Sequence, residues 1–243
     1  MITYERFRKT YGRVLAVDGL DLEIRPGETL ALVGPNGSGK STTLKAAVGL
    51  VRPSAGRVLV DGLDAALGPE ARSGLGYLPQ RLSFAEGVTA GEAMRLYARL
   101  RGAAVEEVDH LLERVELADA ADRATDGFSG GMRQRLGIAI ALLGRPRVLL
   151  LDEPSAALDP TGALLVRDLI GDIAAEGTTV LLSSHDLGEV AALADRVAIF
   201  AAGRMTALGT IPELERRAEA SGLEAVYRRF AEGHSPVRPV RVA

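Results

Sequence analysis

Hydrophobic and polar positions alternate with a period of two over 20–24, where Leu20, Leu22 and Ile24 share one face, and a strand is predicted there as well as over residues 2–10. Arg25-Pro26-Gly27-Glu28 breaks the alternation as a turn and leads into Thr29-Leu30-Ala31-Leu32-Val33, an apolar run suited to a strand buried on both faces. A helical repeat follows over 42–50, Ser54-Ala55-Gly56 turns the chain, and 57–62 reads as a strand closing in a turn. Residues 76–80 form a short strand stopped by Pro79, which leaves Gln80 on a loop.

From 89 to 143 the pattern is almost wholly helical. Thr89 with Glu92 spells a capping box, and Val105, Val108, Leu111, Leu112 and Val115 recur at helical spacing, so a helical insertion into an α/β core is expected. The core resumes over 147–154 with a second buried strand that ends in the adjacent acids Asp152 and Glu153. A helix, a strand over 179–183 and a hairpin of 196–201 with 205–208 about Ala202-Gly203 follow. Amphipathic turns continue to about Phe230, and His234-Ser235-Pro236-Val237-Arg238-Pro239 is expected to fray.

Composition narrows the class. With 243 residues, 47% hydrophobic and 25% charged, the chain can bury a large core and is not of the disordered class. A net charge of -3 provides no global attraction to nucleic acid or to an anionic bilayer, although local basic patches remain open. The absence of cysteine excludes disulfides, zinc ribbons and thiol catalysis, and fits a reducing cytosol. Met1-Ile2-Thr3-Tyr4-Glu5-Arg6 lacks a signal-peptide core, and apolar runs such as 136–143 are too short to span a bilayer. A soluble chain is expected, with any membrane link made through a partner.

The densest chemistry lies at Gly34-Pro35-Asn36-Gly37-Ser38-Gly39-Lys40-Ser41, an unbroken G-x-x-x-x-G-K-S/T phosphate loop between a strand and a helix. Its glycines let successive amides point inward as an anion nest at a helix N-terminus; Lys40 would reach the β- and γ-phosphates, and the Ser41 hydroxyl would ligate Mg²⁺. Lys40 itself is expected on a solvent-facing cleft. Tyr11, on an exposed turn upstream, could stack on a nucleotide base or be a half-buried sheet tyrosine. Phe128-Ser129-Gly130-Gly131 opens a further helix and offers a second anion site, or a plain helix cap. Asp152 and Glu153 stand where phosphate-loop enzymes handle metal and attacking water, and His185 also ends a core strand.

In this order the motifs resemble the ATP-binding subunit of ABC transporters, exporter-type branch, over nearly the whole chain to about residue 231. The fold implied is an α/β phosphate-loop NTPase core of mixed sheet flanked by helices, with an N-terminal antiparallel β subdomain. One domain over 1–231 would carry the helical subdomain at about 85–143, and 232–243 would be a flexible tail. The resemblance implies that Tyr11 stacks on adenine and that Gly34, Pro35, Asn36, Gly37, Ser38, Gly39, Lys40, Ser41 and Thr42 hold ATP. Gln80 would sense Mg²⁺, the γ-phosphate and the membrane partner, Asp152 would hold the metal through water, Glu153 would be the general base, and His185 would contact the γ-phosphate. Ser129-Gly130-Gly131-Met132 is similar to the family signature, so Ser129, Gly130 and Gly131 would contact ATP bound to an opposite subunit. Ser155-Ala156-Ala157-Leu158-Asp159 is similar to the loop that crosses the dimer interface, which places Asp159 there too.

Two departures from the family pattern stand out. Phe128 and Met132 replace the usual leucine and glutamine of the signature, and Ala157 stands where glycine is common. The cofactors implied are ATP and Mg²⁺; the partners are a second ATPase subunit, alike or different, and a separate transmembrane permease, with no nucleic acid. The chain would then be cytoplasmic, peripheral on the inner face of the cell membrane. Tyr77-Leu78-Pro79-Gln80, Phe84, Ala98-Arg99-Leu100-Arg101-Gly102 and Met132-Arg133-Gln134-Arg135-Leu136 resemble the exporter-type branch and look similar to the copper-processing ATPase that assists nitrous-oxide reductase assembly. A soluble ABC ATPase acting on ribosomes or DNA is the alternative; such proteins usually carry two cassettes or a long coiled-coil insertion, and neither is present here. GTPases fit worse, since no N-K-x-D motif occurs.

Overall fold

The structure, a computed structural model, describes residues 1–156 and 158–231. Ala157, the departure in the interface loop, and the tail 232–243 lie outside the described residues. In chain order the first segment holds β1 (Ile2–Tyr11), β2 (Val14–Ile24), β3 (Thr29–Val33), α1 (Lys40–Ala47), β4 (Ala55–Val60) and β5 (Leu63–Asp64). The second holds β6 (Leu75–Leu78), α2 (Ala90–Arg101), α3 (Glu106–Arg114), α4 (Gly130–Leu142), β7 (Val148–Asp152) and α5 (Pro160–Ala175). The last holds β8 (Thr179–Ser184), α6 (Leu187–Leu193), β9 (Arg196–Ala201), β10 (Arg204–Gly209), α7 (Ile211–Ala218) and α8 (Leu223–Ala231). The first and last segments form one compact unit and the middle, residues 74–178, forms another.

In the first unit an antiparallel sheet runs β2-β1-β4-β5. Ile2, Tyr4 and Phe7 of β1 face inward, the step from 4 to 7 being taken up by a register shift at which Arg6 has φ 45, while Leu20, Leu22 and Ile24 of β2 alternate regularly with exposed residues. A mixed sheet carries β3 between two parallel neighbours, β8 and β9, with β10 antiparallel beyond β9. All five residues of β3 are buried, which explains its unbroken apolar run. The Asp18 amide donates to Gly203 O at 2.8 Å and Arg204 Nη2 meets Asp18 Oδ2 at 2.5 Å, tying the two sheets together. The buried Tyr4 hydroxyl donates to Thr43 O at 2.9 Å and so fixes α1 against β1; burial pushes its pKa up. The start of β3 is held by a buried ion pair, Arg196 Nη1 to Glu28 Oε1 at 2.9 Å, and by the Thr29 amide donating to Asp195 Oδ2 at 2.8 Å.

In the second unit β6 and β7 pair in parallel from Leu75 with Val148 to Leu78 with Leu151. The expected capping box is present at α2: the Glu92 amide donates to Thr89 Oγ1 at 3.2 Å, and the Thr89 amide to Glu92 Oε2 at 2.9 Å. Helix α2 buries Ala90, Ala93, Met94 and Ala98, and its last-turn Arg101 reaches Leu75 O through Nη2 at 2.7 Å. Among the described residues no helix is long and apolar enough to cross a membrane.

Candidate functional site

In the first unit the phosphate loop joins β3 to α1, and its shape depends on glycine. Gly39 has φ 108, a left-handed backbone, and a Cβ there would lie 2.6 Å from Ala16 O. A Cβ on Gly34 would lie 2.4 Å from Phe200 O. Helix α1 begins after Gly39 with no side-chain cap, so its first amides stay available to an anion. Pro35, Asn36 and Gly37 are exposed, Ser41 and Thr42 half-buried. Lys40, expected on a solvent-facing cleft, is instead only 5% exposed: its Nζ folds back and donates to Gly34 O at 2.7 Å and to Pro35 O at 3.5 Å. Ser38 Oγ is buried and meets no hydrogen-bond partner among the described residues.

Tyr11 belongs to the same unit. It is the last residue of β1 rather than part of a turn, because the pairing with β2 runs on to Tyr11 opposite Val14. The ring is 46% exposed, and Lys9 Nζ sits 5.0 Å from its centroid while donating to Arg52 O at 2.8 Å. Lys9 was not legible as a participant, although its i, i+2 spacing from Tyr11 puts both on one strand face. His185 is exposed, directly after β8. Its loop is pinned on either side: Ser184 Oγ donates to Glu189 Oε2 at 2.6 Å, and Asp186 Oδ1 accepts from the Gly188 amide at 2.8 Å.

The second unit carries the other candidates. Gln80 is exposed on the loop after β6. Asp152 ends β7 and is fully buried, and Glu153 follows it, 5% exposed. Glu153 has φ 55, a left-handed conformation that costs a non-glycine residue about 1–2 kcal/mol and that clusters at functional sites. Ser129 caps α4, its Oγ accepting from the Met132 amide at 3.2 Å, with Gly130 exposed and Gly131 half-buried behind it. Phe128, in the family's leucine position, is buried and packs under the Arg123 guanidinium at 5.8 Å. Asp159 caps α5, its Oδ1 accepting from the Gly162 amide at 3.2 Å.

Residues 17–156 match the profile of the ABC transporter family. The chain belongs to the ABC transporter family. The daunorubicin resistance ATP-binding protein DrrA3 of Streptomyces coeruleorubidus is 40% identical over 232 residues, which cover 93% of this chain and 73% of that protein. A solved ATP-binding subunit of an ABC transporter matches with a TM-score of 0.86 at 29% identity, over 95% of this chain and 99% of the other. The ATP-binding cassette MJ0796, in a dimeric post-hydrolysis state bound to ADP and Pi, matches with a TM-score of 0.79 at 27% identity, over 86% of this chain and 98% of the other. The expected family and fold therefore stand: the chain is an ATP-binding cassette with an antiparallel β part, a mixed-sheet core and helices.

The residues of the phosphate loop fit a phosphate ligand. An orphaned Ser38 hydroxyl, an uncapped helix start and a lysine ammonium suit phosphate oxygens. In the first unit Ser41 offers a hydroxyl directly after Lys40, and in the second Gln80 and Asp152 each offer an oxygen donor, the hard ligand type that Mg²⁺ prefers. Among the described residues no three His, Asp or Glu side chains gather into a cluster that could hold a metal ion.

Proposed function

We propose that the cassette is the Mg²⁺-dependent ATPase of a transporter, one domain over 1–231 with a helical insertion at about 85–143, closing on a second ATPase subunit around ATP. The observation that carries this reading is the phosphate loop, whose backbone only glycine permits and whose buried Ser38 hydroxyl lacks an acceptor. Gly34 to Thr42 bind the triphosphate, Lys40 moves its ammonium from the loop carbonyls to the phosphates, and Tyr11 carries the base on its exposed ring. Ser41, Gln80 and, through water, Asp152 would hold Mg²⁺, which when bound would supply positive charge to offset that of the phosphates. Glu153 accepts the proton of the attacking water, and His185 orients that water and the γ-phosphate. Ser129, Gly130 and Gly131, with Asp159, meet the outer side of ATP held by the opposite subunit, giving the γ-phosphate donors on both sides.

ATP and water become ADP and phosphate, the shared γ-phosphate is lost, and the subunits separate; that cycle drives a transmembrane permease, to which the cassette binds on the cytoplasmic face. Export is the direction favoured by the resemblance and by a relative named for daunorubicin resistance, a name that speaks of drugs rather than of copper handling. The permease selects the cargo.

Glu153→Gln tests the reading. It keeps size and removes the proton acceptor, so hydrolysis should fall about 10²–10⁴-fold while ATP binding persists. An ATP-dependent dimer, absent with ADP, should then appear in size-exclusion chromatography. Wild-type hydrolysis by this variant, or equal dimerisation with ADP, would remove Glu153 from its role. Full activity at high dilution, strictly linear in protein concentration, would overturn the shared site and favour a free-standing ATPase.

A further inference from the structure

The phenol oxygen of Tyr77 is buried and meets no hydrogen-bond partner among the described residues. A buried hydroxyl in this condition is uncommon, because leaving it unpaired costs the desolvation that a partner would offset. It stands on β6 opposite Leu150 of β7. Strand side chains alternate, so Tyr77, Leu150 and Asp152 project from one face of this parallel pair, with Asp152 two residues, roughly 7 Å, further along. A tyrosine side chain spans that distance. Burial and, second to it, the negative charge of Asp152 push the phenol's pKa up, so the group stays a neutral O–H donor within the field of that carboxylate.

We propose that Tyr77 is a positioning residue for the metal: its O–H donates to the Asp152 carboxylate or to a water that carboxylate holds, and fixes Asp152 in the orientation that Mg²⁺–nucleotide requires. The inference rests on the reading of Asp152 as the metal-linked acid. Outer hydrogen bonds of this kind orient the groups around a metal and typically change its affinity 10–100-fold when removed. Without nucleotide the hydroxyl makes no bond in the structure, so the donation is one that forms when Mg²⁺–nucleotide binds, and its removal should cost metal-dependent affinity and not stability. A merely structural tyrosine has no such signature.

Tyr77→Phe and Asp152→Asn in the full chain separate the possibilities, with N-methylanthraniloyl-ATP affinity measured in Mg²⁺ and in EDTA, and melting measured without nucleotide. The expected result for Tyr77→Phe is a roughly tenfold loss of the affinity gained from Mg²⁺, unchanged affinity in EDTA, and a melting temperature no lower than wild type. An unchanged Mg²⁺ gain in Tyr77→Phe, with Asp152→Asn losing it, overturns the role of Tyr77 and leaves Asp152 in place. An unchanged gain in Asp152→Asn overturns the reading beneath it. Equal losses with and without Mg²⁺, with a lowered melting temperature, make Tyr77 a packing residue and overturn the inference as well.

Discussion

Helices α1 and α4 both begin where the family resemblance places ATP phosphates, yet their first turns are built in opposite ways. At α1 the residue before the helix is Gly39, which has no side chain and a left-handed φ of 108, and no side-chain cap closes the turn. At α4 Ser129 closes it, taking the Met132 amide at 3.2 Å. A helix start left open by its own sequence offers all its first amides to an anion or to water, whereas one capped by serine already has one of them taken. The difference suits a division of labour in which the phosphate loop holds nucleotide in one subunit and the signature engages only when a second subunit brings phosphate to it.

The comparison breaks most severely at Gly39. Gly39→Ala puts a Cβ 2.6 Å from Ala16 O and forces alanine into positive φ, so the loop must shift. Loss of measurable ATP binding by calorimetry is expected, with a melting temperature lowered by several degrees; retained affinity would show that the loop's curvature is not what binds phosphate. Ser129→Ala is smaller: losing the cap costs about 1 kcal/mol, or about 2–4 °C in melting for a chain of this size. ATP affinity of the separate subunit should not change, and ATP-dependent dimerisation in the Glu153→Gln background should weaken. Unchanged melting with lost dimerisation would make Ser129 a ligand and not a cap.

The smallest effect concerns the capping box of α2, which no phosphate is expected to visit. The Thr89 amide and hydroxyl hold the Glu92 carboxyl below its ordinary value of 4.5. A depressed folded-state pKa stabilises above the unfolded value and the gain is lost as pH falls through the folded one. Thr89→Ala keeps the amide and loses the hydroxyl, so it should melt lower than wild type at neutral pH, with the gap narrowing in part on acidification as the hydroxyl's bond to the carboxylate drops out. A gap unchanged in acid would assign the loss to the hydroxyl's cap alone.

The parts legible from sequence are those that local backbone demand dictates. Gly34 to Ser41, the Thr89–Glu92 box and the buried runs of β3, β7 and β8 are visible because glycine, capping chemistry and unbroken apolar stretches have few other uses. Residues governed by distant partners are less visible. Tyr11 reads as a turn residue until β2 extends to Val14 and draws it into the sheet. Lys40 reads as solvent-facing until its ammonium turns back onto Gly34. Helix α6 is seven residues long and carries too little periodicity to announce itself, yet its cap Asp186 and its Glu189 hold the loop of His185. The isolation of the Tyr77 hydroxyl depends on what packs around it and leaves no mark on residue spacing. The left-handed backbone of Glu153 is equally silent, since glutamate is not a residue that suggests positive φ.

The position of Lys40 bears on what nucleotide affinity measures. Its ammonium already has a 2.7 Å acceptor in Gly34 O, so ATP does not meet a bare charge. On the proposed reading, arrival of a triphosphate would be a ligand exchange at nitrogen, carbonyl oxygen out and phosphate oxygen in, and the free energy gained would be a difference between acceptors rather than the worth of a new bond. The carbonyl acts as an internal placeholder: it keeps a nearly buried cation solvated between turnovers and sets a floor that any anion must exceed. On that reading a polyphosphate would clear the floor with several charges where a singly charged anion would gain little by the swap, and the resting loop would favour triphosphate over ambient monovalent anions.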